Sequence, residues 1–217
     1  MLRIAIDGPG GAGKSTIAKL LAKELGIDYI DTGAMYRAAA LKMTRLGIPA
    51  EDLEAVEEAL ATTLIDFDKG SIWLDGEEVN EAIRTPEMGG LASAYSALGC
   101  VRTKLGERQK EMGQTKDCIM DGRDIGTNVL PDAEFKFYLT ASAEERARRR
   151  YKELVEKGQD VNYEKILADI NERDYNDMHR ELNPLCKADD AIEVDTTAMT
   201  IEEVIAYLTG VIKGNAQ

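Results

Sequence analysis

Residues 2–25 read LRIAIDGPGGAGKSTIAKLLAKEL, and this stretch decides the fold. It opens with a short apolar run, Leu2 to Ile6, that ends at Asp7 and predicts a strand. A glycine-rich turn follows, after which apolar residues recur at helical spacing from Ile17 to Leu25. The stretch therefore predicts a strand, a loop and a helix in direct succession.

The turn itself, GPGGAGKS at residues 8–15, matches the phosphate-binding pattern GxxxxGK[ST] between a strand and a helix. A glycine turn that only joined the two elements would not need the Gly-Lys-Ser ending. Its backbone N–H groups and the helix N-terminus favour phosphate, so we expect Lys14 to reach the β and γ phosphates and Ser15 to hold Mg²⁺. The expected ATP-binding residues are Gly8, Pro9, Gly10, Gly11, Ala12, Gly13, Lys14, Ser15 and Thr16.

Composition narrows the classes of protein to consider. The chain has 217 residues, 44% of them apolar, which predicts one domain with insertions. A net charge of −13 argues against a general nucleic-acid or membrane binder. Cys100, Cys118 and Cys186 form no CxxC pair and are expected to be buried thiols in a reducing compartment. Without a leader pattern or a long apolar run, the expected location is cytoplasmic.

Further strand-like runs alternate with helical stretches along the chain. They occur at Tyr29–Ile30, Cys118–Met120, Phe135–Leu139 and Ile192–Val194. With the first strand they predict an α/β fold in which a mostly parallel sheet is covered on both faces. A capping box at Thr200 and Glu203 predicts a closing helix that packs on this sheet.

Two segments break the alternation and are interpreted as insertions. Leu64 to Val79 contains Asp68-Lys69-Gly70 and Asp75-Gly76, which predict hairpin turns and a small antiparallel sheet. Ala143 to about Leu182 predicts two polar helices that form a mobile hairpin.

The segment DTGAMYR, Asp31 to Arg37, runs from the second strand into a helix. Thr32 is expected to cap this helix, Tyr36 offers a ring and a hydroxyl, and Arg37 can bind a phosphate with its guanidinium fork. The pattern equally fits a capped helix with one solvated arginine.

The segment DGRDIG, Asp121 to Gly126, follows the third predicted strand of the parallel sheet, where open sheets place their ligand crevice. Asp121 is a candidate ligand to Mg²⁺ through water, Arg123 a phosphate clamp, and Asp124 an acceptor for an exocyclic amine. An Asp-Gly turn with an internal ion pair is the alternative.

Arginines are concentrated in the two polar helices. Arg146, Arg149 and Arg150 share one helix face with Arg148 nearby, and on the second helix Arg173, Asp177 and Arg180 share a face. Either an anion or neighbouring glutamates must compensate the first group. The second group suits either a charged helix face that closes over ribose and phosphates or an ordinary salt-bridged surface.

Taken together, these motifs resemble the bacterial cytidylate kinases, a group within the nucleoside monophosphate kinases. The matching segments cover almost the whole chain in the family's order: GPGGAGKS, DTGAMYR, Val101-Arg102, DGRDIGT, PDAEFKFYL, ERARRR, NERD through Arg180, and DTT before the last helix. The insertion from Leu64 to Val79 is similar to the extra segment of the bacterial type.

The resemblance implies a P-loop NTPase three-layer fold with a five-stranded parallel sheet, a helical lid and an inserted monophosphate-binding subdomain. The whole chain, 1–217, would be one domain. Its core would comprise about 1–31, 114–142 and 183–217, the subdomain about 32–113, and the lid about 143–182. A monomer is expected, because no large apolar stripe is visible.

The resemblance also implies transfer of the ATP γ-phosphate to CMP, and to dCMP, with Mg²⁺. The catalytic residues would be Lys14, Arg123, Arg146 and Arg149. The CMP-binding residues would be Thr32, Tyr36, Arg37, Ser93, Arg102, Arg123, Asp124, Arg173, Asp177 and Arg180, with Ser15 and Asp121 for the metal. One alternative is a kinase of another small acceptor, such as UMP, AMP or a non-nucleotide metabolite. The others are a GTPase-like switch, whose NKxD motif is not found here, and a nucleotide-binding module without turnover.

Overall fold

The computed structural model describes residues 1–68 and 70–214 of the chain. Lys69 of the predicted Asp68-Lys69-Gly70 turn and residues 215–217 of the predicted core lie outside the described residues.

The described chain forms strands and helices in an alternating order. The strands are β1 (Arg3–Asp7), β2 (Asp28–Asp31), β3 (Ile65–Asp68), β4 (Ser71–Leu74), β5 (Glu77–Glu78), β6 (Cys118–Gly122), β7 (Phe135–Thr140) and β8 (Ile192–Asp195). The helices are α1 (Lys14–Leu25), α2 (Thr32–Leu46), α3 (Leu53–Thr62), α4 (Pro86–Ser96), α5 (Gly99–Gly113), α6 (Ala143–Glu156), α7 (Tyr163–His179) and α8 (Ile201–Ile212). A 3₁₀ turn occupies Ala82–Arg84, and a π turn occupies Ile125–Val129.

Five strands form a parallel sheet in the order β2-β6-β1-β7-β8. Successive residues of β1 point to opposite faces, so that Ala5 joins one core with Met120 and Ile30, whereas Ile4 and Ile6 join the other. The first core is covered by α2 and α5, and the second by α1 and α8. The predicted three-layer α/β fold with a five-stranded parallel sheet is confirmed.

The predicted capping box at Thr200 and Glu203 is present. Val204 and Leu208 of α8 are buried in the second core, so this helix closes the fold as expected.

The predicted small antiparallel sheet is also confirmed. Strands β3, β4 and β5 pair in sequence order, with Ile72 and Leu74 buried in the first core. Asp75, in the left-handed region with φ 51°, turns the chain between β4 and β5. Its carboxylate accepts a hydrogen bond from the backbone N–H of Leu64 at 2.9 Å and pairs with Lys42 at 2.6 Å, which anchors the sheet to α2.

Helices α6 and α7 form the predicted hairpin of polar helices, and its mobility stays a prediction. Gly158, with φ 74°, lies just after α6, where a left-handed residue ends a helix without strain. None of the helices in the described part of the chain combines the length and the apolar composition that a membrane span requires.

The sheet topology fixes where a ligand can lie. The chain leaves β1 toward β2 on one side of the sheet and leaves β6 toward β7 on the other. In open parallel sheets, such a reversal opens a crevice outside the carboxyl ends of the two strands. Here those ends carry Asp7, which precedes the glycine loop, and Asp121.

Two local predictions were wrong. Asp31, not Thr32, caps α2, since its Oδ1 accepts a hydrogen bond from the N–H of Ala34 at 2.8 Å. The three cysteines do not share one environment either, because Cys118 is buried whereas Cys100 is half-buried and Cys186 is exposed. No apolar pattern surrounds Cys186, which lies between α7 and β8.

Candidate active site

The glycine loop, residues 8–15, passes close to β7. Gly8, Gly11 and Gly13 have positive φ, at 144°, 79° and 87°. A Cβ on Gly8 would lie 1.9 Å from the carbonyl oxygen of Leu139, a contact that no side chain could make. Gly8 is therefore required both for its backbone conformation and for the close approach of the loop to the sheet.

Lys14 is buried at the floor of the loop, and its Nζ donates a hydrogen bond to the carbonyl of Pro9 at 2.7 Å. Burial lowers the pKa of Lys14, and the neighbouring cation Arg123 lowers it further. The carboxylates of Asp121 and Asp7 act in the opposite direction. A cation in such surroundings is stabilised by a nearby anion such as phosphate.

Ser15 and Asp121 lie together where the loop enters α1. The hydroxyl of Ser15 donates to Asp121 Oδ2 at 2.8 Å, and the hydroxyl of Tyr29 donates to Asp121 Oδ1 at 2.8 Å. Burial raises the pKa of Asp121, and the negative charge of Asp31 adds to that effect. Nearby cationic charge, which a divalent ion would supply, favours the ionised carboxylate.

This pair fits Mg²⁺. The ion takes oxygen ligands and is often held by one or two protein groups together with phosphates and water, so one carboxylate and one hydroxyl suffice. Within residues 1–68 and 70–214 no cluster of three or more His, Cys, Asp or Glu residues suited to a metal is found. The carboxylate of Asp121 and the hydroxyl of Ser15 suit a metal whose other ligands are nucleotide phosphates and water.

Thr32 and Arg37 flank the carboxyl end of β6. The hydroxyl of Thr32 donates to the backbone carbonyl of Asp121 at 2.6 Å, so it ties the start of α2 to this strand. The Arg37 guanidinium pairs with Asp31 at 3.1 Å and remains half-buried. The remaining guanidinium N–H groups of Arg37 can bind a phosphate.

Five charged residues form a continuous series of ion pairs, which we call the Arg/Asp series. The series runs Arg102, Asp124, Arg180, Asp177 and Arg123, with N–O distances of 2.8, 3.3, 3.5 and 2.7 Å along it. It joins α5, the segment after β6 and the end of α7. The series carries three cations and two anions, so it retains one positive charge for an anionic ligand.

Tyr36 packs against this series. The guanidinium carbon of Arg102 lies 5.6 Å from the centroid of the Tyr36 ring, within the range of a cation–π contact. Burial raises the pKa of Tyr36. The neutral phenol is therefore the form that a ligand would meet near neutral pH.

A cavity of about 1,090 Å³ opens on the other side of the glycine loop. It is lined by residues 10–17, by α6 and α7, and by residues 196–201 before and at the start of α8. Arg146, Arg149, Arg150 and Arg173 all contribute to this wall. A nucleoside triphosphate bound at the loop would extend into this cavity.

The arginines of α6 have protein partners. Arg146 is buried, donating to the carbonyls of Ala141 at 2.9 Å and Gly10 at 3.0 Å and pairing with Asp174 at 2.6 Å. Arg149 pairs with Glu145 at 2.9 Å and donates to the carbonyl of Thr196 at 2.7 Å.

The other two arginines pair with glutamates of their own helix. Arg148 pairs with Glu145, and Arg150 pairs with Glu153 at 2.9 Å. The repulsion expected among the four arginines is thus relieved by glutamates on α6 and by Asp174 on α7.

Arg123 and Arg173 connect the two halves of the site. A Cβ built on Gly10 would lie 3.4 Å from Arg123 Nη2 and 3.8 Å from Cδ of Arg173. Arg123 therefore places its Nη2 near Gly10 of the glycine loop, while its Nε donates to Asp177. Arg123 thus lies between the glycine loop and the rest of the Arg/Asp series.

Nine of the ten sequence-predicted acceptor residues meet around the Arg/Asp series and the neighbouring end of the glycine loop. Ser93 differs, because it lies half-buried on α4, where its carbonyl accepts a hydrogen bond from the Ser96 hydroxyl at 2.9 Å. Among the described residues Ser93 makes no direct hydrogen bond to the Arg/Asp series, but the carbonyl of Ser96 accepts one from Arg102 Nη1 at 3.4 Å.

Sequence reasoning missed Asp7 as a site residue. The Asp7 carboxylate is buried and accepts hydrogen bonds from the backbone N–H groups of Ile125 at 2.8 Å and Gly126 at 2.7 Å. It thereby holds the segment that carries Arg123 and Asp124. Burial raises the pKa of Asp7 to about 6, although both hydrogen bonds oppose the rise. An acidic residue at the end of a buried strand was the available signal.

Comparison with known proteins decides the family. The family model described as cytidylate kinase matches residues 4–214. The chain belongs to the cytidylate kinase family. A cytidylate kinase from Caldanaerobacter subterraneus is 50% identical over 216 residues, covering 100% of this chain and 96% of the relative. A cytidylate kinase from Caldicellulosiruptor saccharolyticus is 54% identical, and the match covers 94% of this chain and 92% of that relative.

Solved structures support the fold. A shikimate kinase from Bacteroides thetaiotaomicron superposes with a TM-score of 0.51 and 13% identity, covering 98% of both chains. An uncharacterised protein from Eubacterium ventriosum superposes with a TM-score of 0.53 and 12% identity, again over 98% of both chains. At these identities the likeness concerns the fold alone.

Proposed function

We propose that this member of the family transfers the γ-phosphoryl group of ATP to CMP, and to dCMP, giving ADP and the corresponding diphosphate. The observation that carries the proposal is the position of Arg123 between the glycine loop and Asp177. A guanidinium at that point would meet a donor phosphate at the loop and an acceptor phosphate beside the Arg/Asp series. Membership of the cytidylate kinase family supports the same acceptor.

On the donor side, the backbone and side chains of Gly8 to Thr16 would bind ATP. Lys14 would contact the β and γ phosphates from the buried floor of the loop. Ser15 and Asp121 would hold Mg²⁺, Asp121 through water, and the ion would neutralise phosphate charge when bound.

On the acceptor side, phosphate would be met by Arg37, Arg123 and Arg180 with Thr32, while Tyr36, Arg102 and Asp124 would hold the cytosine. Arg173 and Asp177 would bind the sugar, and Ser93 would join the ribose or base contacts. Support comes from the ion pairs that bring five of these residues together. Asp124 accepts hydrogen bonds and so suits the exocyclic amine of cytosine.

Catalysis would rest on positioning and charge neutralisation. The acceptor phosphate oxygen is already an anion near neutral pH, so the reaction needs no general base. Lys14 and Arg123 would stabilise charge on the transferred group, with Arg146 and Arg149 of the lid. Arg146 donates a hydrogen bond to the Gly10 carbonyl, so it would act on the bound ATP through the glycine loop.

The proposal extends to the domain organisation, cellular location, oligomeric state and partners of the protein. Residues 32–113 would form the acceptor-binding subdomain and residues 143–182 the lid, around a core of 1–31, 114–142 and 183–217. The protein would be a cytoplasmic monomer that acts on small molecules and binds neither nucleic acid nor membranes, consistent with its charge of −13.

The test is ADP formation from ATP and Mg²⁺ with CMP, dCMP, UMP, AMP and GMP offered separately. CMP should lead, with dCMP close behind. Asp124→Asn should lose most of its preference for CMP over UMP, while Asp132→Asn, an exposed carboxylate on the surface, should not. ADP formed only with another monophosphate would reassign the acceptor, and ADP formed equally without an acceptor would indicate a hydrolase.

A further inference from the structure

Helix α5 carries an amide side chain in its buried face. The buried residues of this helix are Val101, Arg102, Leu105, Gly106, Gln109, Met112 and Gly113. Gln109 is 1% exposed, and in the part of the chain that the structure describes no atom accepts a hydrogen bond from its Nε2. A buried amide without a partner costs stability, whereas leucine or methionine there would not incur this cost. Packing alone therefore does not explain a glutamine at this position.

A second unpaired donor lies on the same helix face. Arg102 precedes Gln109 by seven residues, or two helical turns, and is 3% exposed. Its Nη2 pairs with Asp124, but its Nε has no acceptor among residues 1–68 and 70–214. Buried donors are almost always satisfied in folded proteins, so two on one face require a common explanation.

Both side chains lie beside Tyr36. The guanidinium of Arg102 stands 5.6 Å from the ring centroid. Burial raises the pKa of Tyr36 overall, and the Gln109 amide, which lies near the Tyr36 hydroxyl, acts to lower it. The contact between the two side chains does not meet the geometry of a hydrogen bond. The two donors thus both lie next to the aromatic ring of the proposed acceptor site.

We propose that Gln109 is a further binding residue for the acceptor base, and this inference rests on the proposed function. Its Nε2 donates a hydrogen bond to a ring nitrogen or carbonyl oxygen of a pyrimidine, next to the donor offered by Arg102. Cytosine suits this arrangement, because N3 and O2 are acceptors while its amino group is a donor for Asp124. The phosphate is matched instead by the cations Arg37, Arg123 and Arg180.

The experiment replaces Gln109 with methionine, which keeps the size of the side chain and removes its donors. Titration calorimetry of Gln109→Met should give about a tenfold rise in the Kd of CMP, the equivalent of one neutral hydrogen bond. The KM of ATP should stay within twofold. Ribose 5-phosphate, which has no base, should inhibit the variant and the wild type at the same concentration. Met112→Leu, a substitution on the same buried face, is the matched control and should change none of these values.

An unchanged Kd of CMP in Gln109→Met would overturn the proposal. An equal loss for CMP and ribose 5-phosphate would also overturn it, because that result indicates a structural role. The proposed function fails by a different result, namely that the wild type forms no ADP with CMP.

A measurement on the wild type removes any dependence on the folding of a variant. In glutamine-labelled protein, CMP should shift the side-chain N–H signals of Gln109, and ribose 5-phosphate should leave them in place. Signals that respond to neither ligand, or equally to both, would overturn the proposal.

Discussion

Arg123 Nε donates to Asp177 Oδ2 at 2.7 Å, which joins the segment after β6 to the last turns of α7. Both side chains are largely shielded from solvent, with exposures of 18% and 10%. The pair therefore connects the core of the protein to the helical hairpin of α6 and α7 through the centre of the candidate site.

This connection predicts that Arg123 and Asp177 act as a unit. Arg123→Lys and Asp177→Asn should each lower kcat/KM for CMP, and the double variant should lose less than the sum of the two effects. A coupling energy of about 0.5–3 kcal/mol is expected for contacting residues of one network. Steady-state kinetics of the four proteins measures it, and strictly additive losses would show that the contact is incidental.

Lys14 should be required for turnover but not for folding. Lys14→Ala is expected to lower kcat by a factor of about 10²–10³ or more, since removing one preorganised donor of charge stabilisation has that order of effect. Lys19→Ala, an exposed lysine on the same helix, is the matched control. Kinetics with circular dichroism measures both properties, and normal turnover of Lys14→Ala would refute the proposed mechanism.

Asp121 should determine the metal requirement. Asp121→Asn removes the charge beside Ser15, and the Mg²⁺ concentration for half-maximal rate should rise about 10–100-fold, as for other residues that support a metal. Tyr29→Phe removes the other hydroxyl that contacts Asp121 but keeps the carboxylate, so its metal requirement should change much less. Similar metal titrations for the two variants would argue against Asp121 as the metal-site carboxylate.

Asp7 should make the stability of the protein depend on pH between about 4 and 6. Its pKa is raised from 3.8 to about 6 in the folded protein. The folded state therefore holds the proton more tightly than the unfolded state, and this contribution to stability is lost as the pH rises through the folded pKa.

Replacing Asp7 with asparagine removes this titration. Relative to the wild type, Asp7→Asn should gain about 2 kcal/mol in free energy of unfolding between pH 4 and pH 7. Urea unfolding across this range measures the change, and Asp132→Asn serves as an exposed control. Parallel pH profiles for the wild type and Asp7→Asn would mean that Asp7 does not titrate in this range.

Much of the fold could be predicted because its signals are local. The glycine loop, the apolar runs and the capping box each predict a loop, strand or helix from a few consecutive residues. The resemblance supplied the number of strands in the parallel sheet but not their order, since hydrophobic pattern does not determine which strands are neighbours. Even a local prediction can select the wrong one of two adjacent residues. The N-cap of α2 was assigned to Thr32 instead of Asp31, because both side chains can accept the capping hydrogen bond.

The candidate site was less predictable, because its contacts join distant segments. Sequence spacing identified Arg123 and Asp177 separately, but their contact spans 54 residues and depends on how α7 returns to the sheet. Arg146 contacts Asp174 and the carbonyl of Gly10, and these two contacts likewise form only in the folded chain. Gln109 left only a faint signal, a polar residue within the apolar face of α5.

The convergence of Lys14, Arg123 and Arg173 within a protein of net charge −13 has a consequence for the encounter with nucleotides. An anionic nucleotide far from the protein experiences net repulsion, and it meets attraction only after it enters the crevice. The Debye length falls from about 30 Å at 0.01 M salt to about 8 Å at physiological ionic strength. Salt therefore screens the outer repulsion before it weakens the short-range attraction, and nucleotide capture by this molecule is favoured by moderate ionic strength.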